Sequence, residues 1–254
     1  MNKQLTIDLN CDLGESFGIY KIGNDKEMMK YVSSVNIACG FHAGDPSVIR
    51  KTVNLALEAN VAVGAHPGYP DLQGFGRRNI NYTPEEIFDL TLYQIGALKT
   101  LVEVEGSKLH HVKPHGALYN MAAKSEEIAN AIVQAILKVD EELILYGLSN
   151  SYLISEAKKL GLRVANEGFV DRTYNENGQL TPRTHQNAVI TDEEASLKQV
   201  IKMISEKKVI ATSGKEINIE VDTLCIHGDG AKAVEFAQNV SSILKGNNIE
   251  IKTI

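Results

Sequence analysis

Apolar and polar positions along this chain follow two periods in turn. Near the start, I-D-L-N-C-D-L-G-E (residues 7–15) sets Ile7, Leu9 and Cys11 against Asp8, Asn10 and Asp12. Strand side chains alternate between faces, so the three polar groups share one face and the apolar ones the other. Short β-branched runs predict strands at residues 5–10, 34–39, 61–65, 109–113, 143–146, 163–166, 209–212, 223–227 and 249–254. Between them the period lengthens. Ile49, Val53, Ala56 and Leu57, and again Leu197, Val200, Ile201 and Ile204, form the buried stripes of helices. Asp45-Pro46 and Thr83-Pro84 place a capping side chain before a first-turn proline, and Glu86 completes a capping box with Thr83.

Strand–helix alternation implies crossover connections and a largely parallel sheet. About eight such units in 254 residues favour a closed β/α barrel over an open sheet, with residues 1–254 as one domain. The pattern lapses over residues 168–190, which are rich in Asn, Thr, Arg and Gly. An irregular stretch of that length inside a compact fold is usually functional or disordered.

Composition then narrows the class. Apolar residues make up 43% and charged residues 23%, as in ordinary globular proteins. A net charge of −6 with no long basic run argues against nucleic acid. Cys11, Cys39 and Cys225 are far apart, which suits reduced thiols in a cytoplasm. No signal peptide and no long apolar run is visible, so a cytoplasmic protein without a membrane span is expected.

The ionisable residues collect where the predicted strands end. Asp12 and Glu15 follow the first strand. C-G-F-H-A-G-D brings His42 and Asp45, and G-A-H-P-G-Y-P-D brings His66 and Asp71, followed by Arg77 and Arg78. V-K-P-H-G-A-L-Y-N carries Lys113, His115, Tyr119 and Asn120. Glu167 leads into F-V-D-R with Asp171 and Arg172, and C-I-H-G-D-G carries His227 and Asp229. In a β/α barrel all of these fall at the carboxyl rim, where such barrels hold their sites. Asp8, Asn10 and Asp12 are then expected to point inward as the first wall of that site, a solvated sheet edge being the alternative.

Other readings are plainer. Capping alone explains Asp45, core packing suits Cys39 and Cys225, and of His110 and His111 at most one can face inward. G-D-G-A-K-A (residues 228–233) stands too near the end of the chain to open a dinucleotide-binding unit, though a helix start can still receive an anion. S-G-K at Ser213–Lys215 reads as a hairpin turn. A catalytic zinc takes three protein ligands, and no H-E-x-x-H pair supports one, so the metal question stays open.

Taken in order, I-D-L-N-C-D-L-G-E, N-I-A-C-G-F-H-A-G-D, G-A-H-P-G-Y-P-D, Q-I-G-A-L, H-V-K-P-H-G-A-L-Y-N, F-V-D-R and C-I-H-G-D-G resemble the family of 5-oxoprolinase A subunits, also called LamB/YcsF. The likeness runs from Ile7 to the last strand. It implies a distorted, TIM-like β/α barrel related to the glycoside hydrolase/deacetylase barrels. It also implies ATP-dependent hydrolysis of 5-oxo-L-proline to L-glutamate, with ADP and phosphate released and with partner subunits B and C. ATP, with magnesium, is then a co-substrate, and no tightly bound organic cofactor is expected.

Opening an activated lactam needs a base, cations near a phosphoryl group and donors for an oxyanion. Asp12 or His66 suits the base, Lys113 and Arg172 the cations, and His42, His115 or His227 the donors, with Asp229 beside them. Asp8, Asn10, Glu15, Tyr119, Asn120 and Asp171 are expected to contact substrate. The chain shows no Walker loop or Gly-rich kinase loop, so either the rim helices or a partner must complete a nucleotide site. A metal-dependent deacetylase or amidohydrolase acting alone, and a non-catalytic subunit that presents substrate, are the alternatives.

Overall fold

The computed structural model describes residues 4–226 and 232–254. Strands β1 (Leu5–Leu13), β2 (Ser34–Ala38), β3 (Ala62–His66), β4 (His111–Val112), β5 (Ile144–Leu148), β6 (Arg163–Phe169) and β9 (Thr223–Ile226) pair in parallel in that order. Parallel pairing of β9 with β1 closes the ring, giving a seven-stranded, TIM-like α/β barrel. The last strand, β10 (Ile249–Ile251), pairs with β1 at Leu5, Thr6 and Ile7, before β1 turns to β9 at Asp8.

The helices are α1 (Asp25–Met28), α2 (Pro46–Glu58), α3 (Pro84–Val104), α4 (Gly116–Ala122), α5 (Glu126–Val139), α6 (Tyr152–Lys159), α7 (Glu193–Glu206) and α8 (Ala233–Gly246). Thr83 and Glu86 form the expected capping box on α3, and Asp45 caps α2 through the Ser47 and Val48 amides. The Asp45 carboxylate also accepts from the Gly18 amide, so this residue ties a loop to a helix start. The large core lies between strands and helices: Ile7, Leu9, Cys11 and Leu13 of β1 belong to it, with Ile49, Val53 and Ala56 of α2. Among the described residues no helix is long and apolar enough to cross a membrane.

The run at residues 209–212 is not a barrel strand. It forms β7 (Lys208–Ile210), antiparallel to β8 (Glu216–Asn218), around the Ser213–Lys215 turn. Only Val209 of β7 is buried, so the run lacks the two apolar faces that a barrel strand needs. Residues 170–192 form no helix or named strand. They fold back through bridges between Arg172 and Val189 and between Tyr174 and Leu180.

Candidate active site

Alternation along β1 stacks Asp8, Asn10 and Asp12 up the barrel interior, and each meets a different layer. At the amino end the Asp8 carboxylate accepts from the hydroxyls of Ser33 (2.6 Å), Ser34 (2.8 Å) and Thr223 (2.5 Å). Burial pushes this carboxyl above its ordinary range, against those three hydrogen bonds. Asp8 therefore sits in the barrel floor and does not line the cavity at the mouth.

The middle layer is fully paired. Asn10 donates to Thr223 Oγ1 (2.7 Å) and Glu167 Oε1 (3.0 Å), and accepts from Asn36 (2.7 Å) and Lys113 (3.1 Å). Asn36 Oδ1 lies 2.8 Å from His111 Nε2, and the His111 ring stacks on Tyr146 with centroids 4.0 Å apart. That ring fills the space over Gly64, which any Cβ there would occupy. His111 is thus the inward member of its pair, while His110 meets the Ile254 carbonyl oxygen at 3.1 Å. All four polar functions of Asn10 are used inside the barrel, below the cavity at the mouth, which it does not line.

Lys113, at the end of β4, joins this layer to the mouth. Its Nζ lies 2.8 Å from Glu167 Oε1, 3.0 Å from Asp12 Oδ1 and 3.0 Å from Cys225 Sγ. Burial alone would lower the lysine pKa, but the carboxylates of Asp12 and Glu167 outweigh it and hold it well above the usual range. Glu167 Oε2 accepts from the Tyr119 hydroxyl at 2.7 Å, and burial pushes that phenol upward. Cys225 is therefore a neighbour of the ammonium as well as a buried member of the core, as its packing reading expected. Cys39 keeps its packing role, with burial raising its thiol to about 12.

Among the described residues three imidazoles stand above. His66 ends β3, and its Nδ1 meets the Lys113 carbonyl oxygen at 2.7 Å while Nε2 lies 3.3 Å from Asp12 Oδ2. His115 precedes α4, with Nε2 2.8 Å from the Phe75 carbonyl oxygen. Burial, and then the neighbouring His66, push His115 down to about 3. His42 lies flat against His115, ring centroids 3.7 Å apart and planes 2° from parallel. The loop over both rings carries Gly76 at φ +63°, where a Cβ would sit 2.7 Å from His42 Cβ and 2.8 Å from His115 Cδ2. Burial holds His42 well below its usual range.

A cavity of about 520 Å³ opens at this carboxyl end, lined by Asp12, Glu15, His66, Arg77, Lys113 and His115, with Tyr119, Asn120, Lys124 and Arg172. The irregular stretch after β6 completes the wall with Leu180, Thr181, Pro182, Arg183 and Thr184. Arg172 anchors that stretch, donating to the carbonyl oxygens of Ala188 (3.1 Å) and Thr181 (2.6 Å). Burial lowers its pKa to about 10.

The structure thus gathers Asp12, Glu15, His66, Lys113, His115, Tyr119, Asn120 and Arg172 around one space. His42 packs behind His115 and does not line it. Asp171 does not line it either; its backbone oxygen accepts from the Ile190 amide within the irregular stretch. Asp71 binds Arg78 and the Gly74 amide, closing its own loop. His227 and Asp229 lie outside the described residues. Asn36 belongs to the site without being expected in it, and Glu167, expected at the rim without a role, is there as the partner of Lys113. Ser34–Asn36 and Ala165–Glu167–Phe169 carry the inward alternation that made Asp8, Asn10 and Asp12 conspicuous.

Comparison with known proteins agrees on this chain's relatives. Residues 7–254 match the model of the LamB/YcsF family. The 5-oxoprolinase A subunit of Brevibacillus brevis is 56% identical over 246 residues, which cover 97% of each chain. That of Bacillus subtilis (strain 168) is 56% identical over 248 residues, covering 98% of this chain and 96% of its own. The crystal structure of a lactam utilization protein from Thermus thermophilus superposes with a TM-score of 0.93 at 46% identity. It covers 98% of this chain and all of its own.

Proposed function

This chain belongs to the LamB/YcsF family, and from that premise and the charge of its mouth we propose that it is the A subunit of a 5-oxoprolinase. In this reading it opens the lactam of 5-oxo-L-proline to L-glutamate together with partner subunits B and C, and ATP is hydrolysed to ADP and phosphate. Its relatives, named for the A subunit of 5-oxoprolinase and for lactam utilization, support the reaction class.

One observation carries the proposal beyond those names. The chain is acidic overall, with a net charge of −6, yet among the described residues its cavity is lined by five cationic side chains, Arg77, Lys113, Lys124, Arg172 and Arg183, and by two carboxylates, Asp12 and Glu15. A cleft of one sign in a body of the other concentrates ligands of opposite charge. The carboxylate of 5-oxoproline and any phosphoryl group on it are such ligands, and the cavity lies in the usual range for small molecules, roughly 300–1,000 Å³.

The chemistry follows from the groups present. Phosphorylation of the lactam oxygen makes its carbon a better electrophile, and water adds there. The ring C–N bond then breaks as the nitrogen takes a proton, leaving an acyl phosphate that a second water hydrolyses to phosphate and L-glutamate. Lys113 supplies fixed positive charge at the base of the cavity, and the arginines hold the phosphoryl oxygens. The ring edges of His66 and His115 beside Asp12 order the water and take its proton. With no Walker loop in the chain, the partners complete the nucleotide site.

Reconstitution tests this. The chain with B and C, ATP, magnesium and 5-oxoproline should release glutamate and phosphate, and the chain alone should release little. Robust glutamate release by the chain alone would overturn partner dependence, and none from the complete set would overturn the reaction.

A further inference from the structure

Two buried imidazoles meet in a way that their own hydrogen bonds oppose. His66 Nδ1 and His115 Nε2 each face a backbone carbonyl oxygen, of Lys113 at 2.7 Å and of Phe75 at 2.8 Å. A carbonyl oxygen only accepts, so those ring nitrogens carry the hydrogens. In neutral rings the remaining nitrogens, His66 Nε2 and His115 Nδ1, then present bare lone pairs to each other at 3.0 Å. Asp12 Oδ2, another acceptor, lies 3.3 Å from His66 Nε2. Glu15 and His42 bring more of the same: one ligand atom from each of Glu15, His42, His66 and His115 lies within 4.8 Å of every other, and all four residues are buried. Among the described residues neither ring nitrogen of His42 has a hydrogen-bond partner.

Acceptors that converge in a buried space require a cation between them. We propose that His66 Nε2 and His115 Nδ1, with the carboxylates of Asp12 and Glu15, bind one divalent transition-metal ion. A metal–nitrogen bond is about 2.0–2.1 Å, so two donors set 90–110° apart on one ion are separated by roughly 2.9–3.4 Å. The observed 3.0 and 3.3 Å fall in that interval without rearrangement. Each ring also donates its other N–H to a carbonyl oxygen, the outer bond that ligating histidines usually make and that fixes their tautomer.

The donor set selects the ion. Imidazole with carboxylate suits zinc, iron(II), cobalt or manganese, whereas magnesium and calcium prefer oxygen alone. Lys113 occupies Asp12 Oδ1 and leaves Oδ2 turned toward His66. His42 lies parallel to His115, so its lone pairs run alongside rather than toward the same point; it walls the ion in. The inference rests on side-chain geometry and holds whatever the substrate. Within the lactam reading, a bound ion would replace the two rings as the activator of the attacking water, by lowering its pKa.

The test uses the full chain, stripped by chelator and titrated separately with zinc, manganese, cobalt and magnesium. Calorimetry should show one zinc, manganese or cobalt ion per chain, bound far more tightly than magnesium, with a higher melting temperature. Bound cobalt should show the visible absorption of a nitrogen-ligated site. His66→Gln and His115→Gln should each weaken binding at least about tenfold. Failure of the wild-type chain to bind any of the three metals stoichiometrically would overturn the proposal and leave a proton shared by the two rings as the remedy. Unchanged binding by the double variant would overturn it equally. If the variants do not fold, the cobalt spectrum of the wild-type chain decides. Stoichiometric binding beside a failed reconstitution would count against the lactam reading alone.

Discussion

The floor and the mouth of this barrel are built from the same strands and the same alternation, yet they behave as opposites. At the floor, Asp8 is enclosed by the hydroxyls of Ser33, Ser34 and Thr223, groups that carry no charge and can turn to suit it. At the mouth, Asp12 is set against an ammonium and an imidazole, with further acceptors crowded beside it. Adjacent members of Asp8, Asn10 and Asp12 stand two positions apart, and the last step of one layer turns a closed hydrogen-bond network into an open, charged one. Burial by itself does not make a polar residue functional; partners that leave chemistry unfinished do.

The sharpest way to break the comparison is to remove the charge that links the layers. Lys113→Met leaves the Asp12 and Glu167 carboxylates without their shared cation, and should cost about 3–5 kcal/mol in urea unfolding at pH 7. Adding Glu167→Gln should restore part of it. A loss below about 1 kcal/mol would mean that the ammonium is not the link described.

At the floor the expected effect is smaller and depends on pH. Asp8→Asn removes one hydroxyl acceptor, worth about 1–3 kcal/mol. Burial raises the Asp8 carboxyl, so the folded protein binds that proton more tightly than the unfolded chain. Its stabilising contribution is thus complete below the unfolded pKa of about 4 and is lost as pH rises through the folded value. The advantage of wild type over Asp8→Asn should therefore shrink as pH rises from about 4. An advantage that is flat or growing contradicts the sign.

At the outer wall the effect is smallest. Arg183→Ala should raise KM for 5-oxoproline in the reconstituted complex by about three- to tenfold at low salt, with kcat kept. The difference should fade near 0.5 M salt, where the Debye length is only about 4 Å. A salt-independent change would point to shape rather than charge.

Much of this was legible in the sequence because the barrel repeats one signal. Alternating strands that end in Gly, His and Asp marked the carboxyl rim, and the caps at Asp45 and Thr83 marked helix starts. Depth was not legible. Asp8, Asn10 and Asp12 read alike along the chain, and only their partners, Ser34 and Thr223 for Asp8 against His66 and Lys113 for Asp12, separate floor from mouth. Glu167 falls at the rim in the sequence but carries no role there, because a lone carboxylate on an apolar strand gives no hint that Lys113 will meet it across the barrel. Cys225 read as packing for the same reason. The strand at residues 209–212 was misplaced because a local pattern does not say whether a strand joins a parallel ring or folds onto its neighbour.

The central claim is that reactivity belongs to the mouth and stability to the floor. Its most direct test is kcat at saturating 5-oxoproline for complexes reconstituted with His115→Gln or with Asp8→Asn, each beside a thermal melt. His115→Gln should melt as the wild-type chain does once both are stripped by chelator, and should lose turnover at least about tenfold, a barrier increase of ~1.4 kcal/mol. Asp8→Asn should melt lower and turn over at the wild-type rate. Wild-type turnover in His115→Gln, or an equal loss in a well-folded Asp8→Asn, would contradict the account.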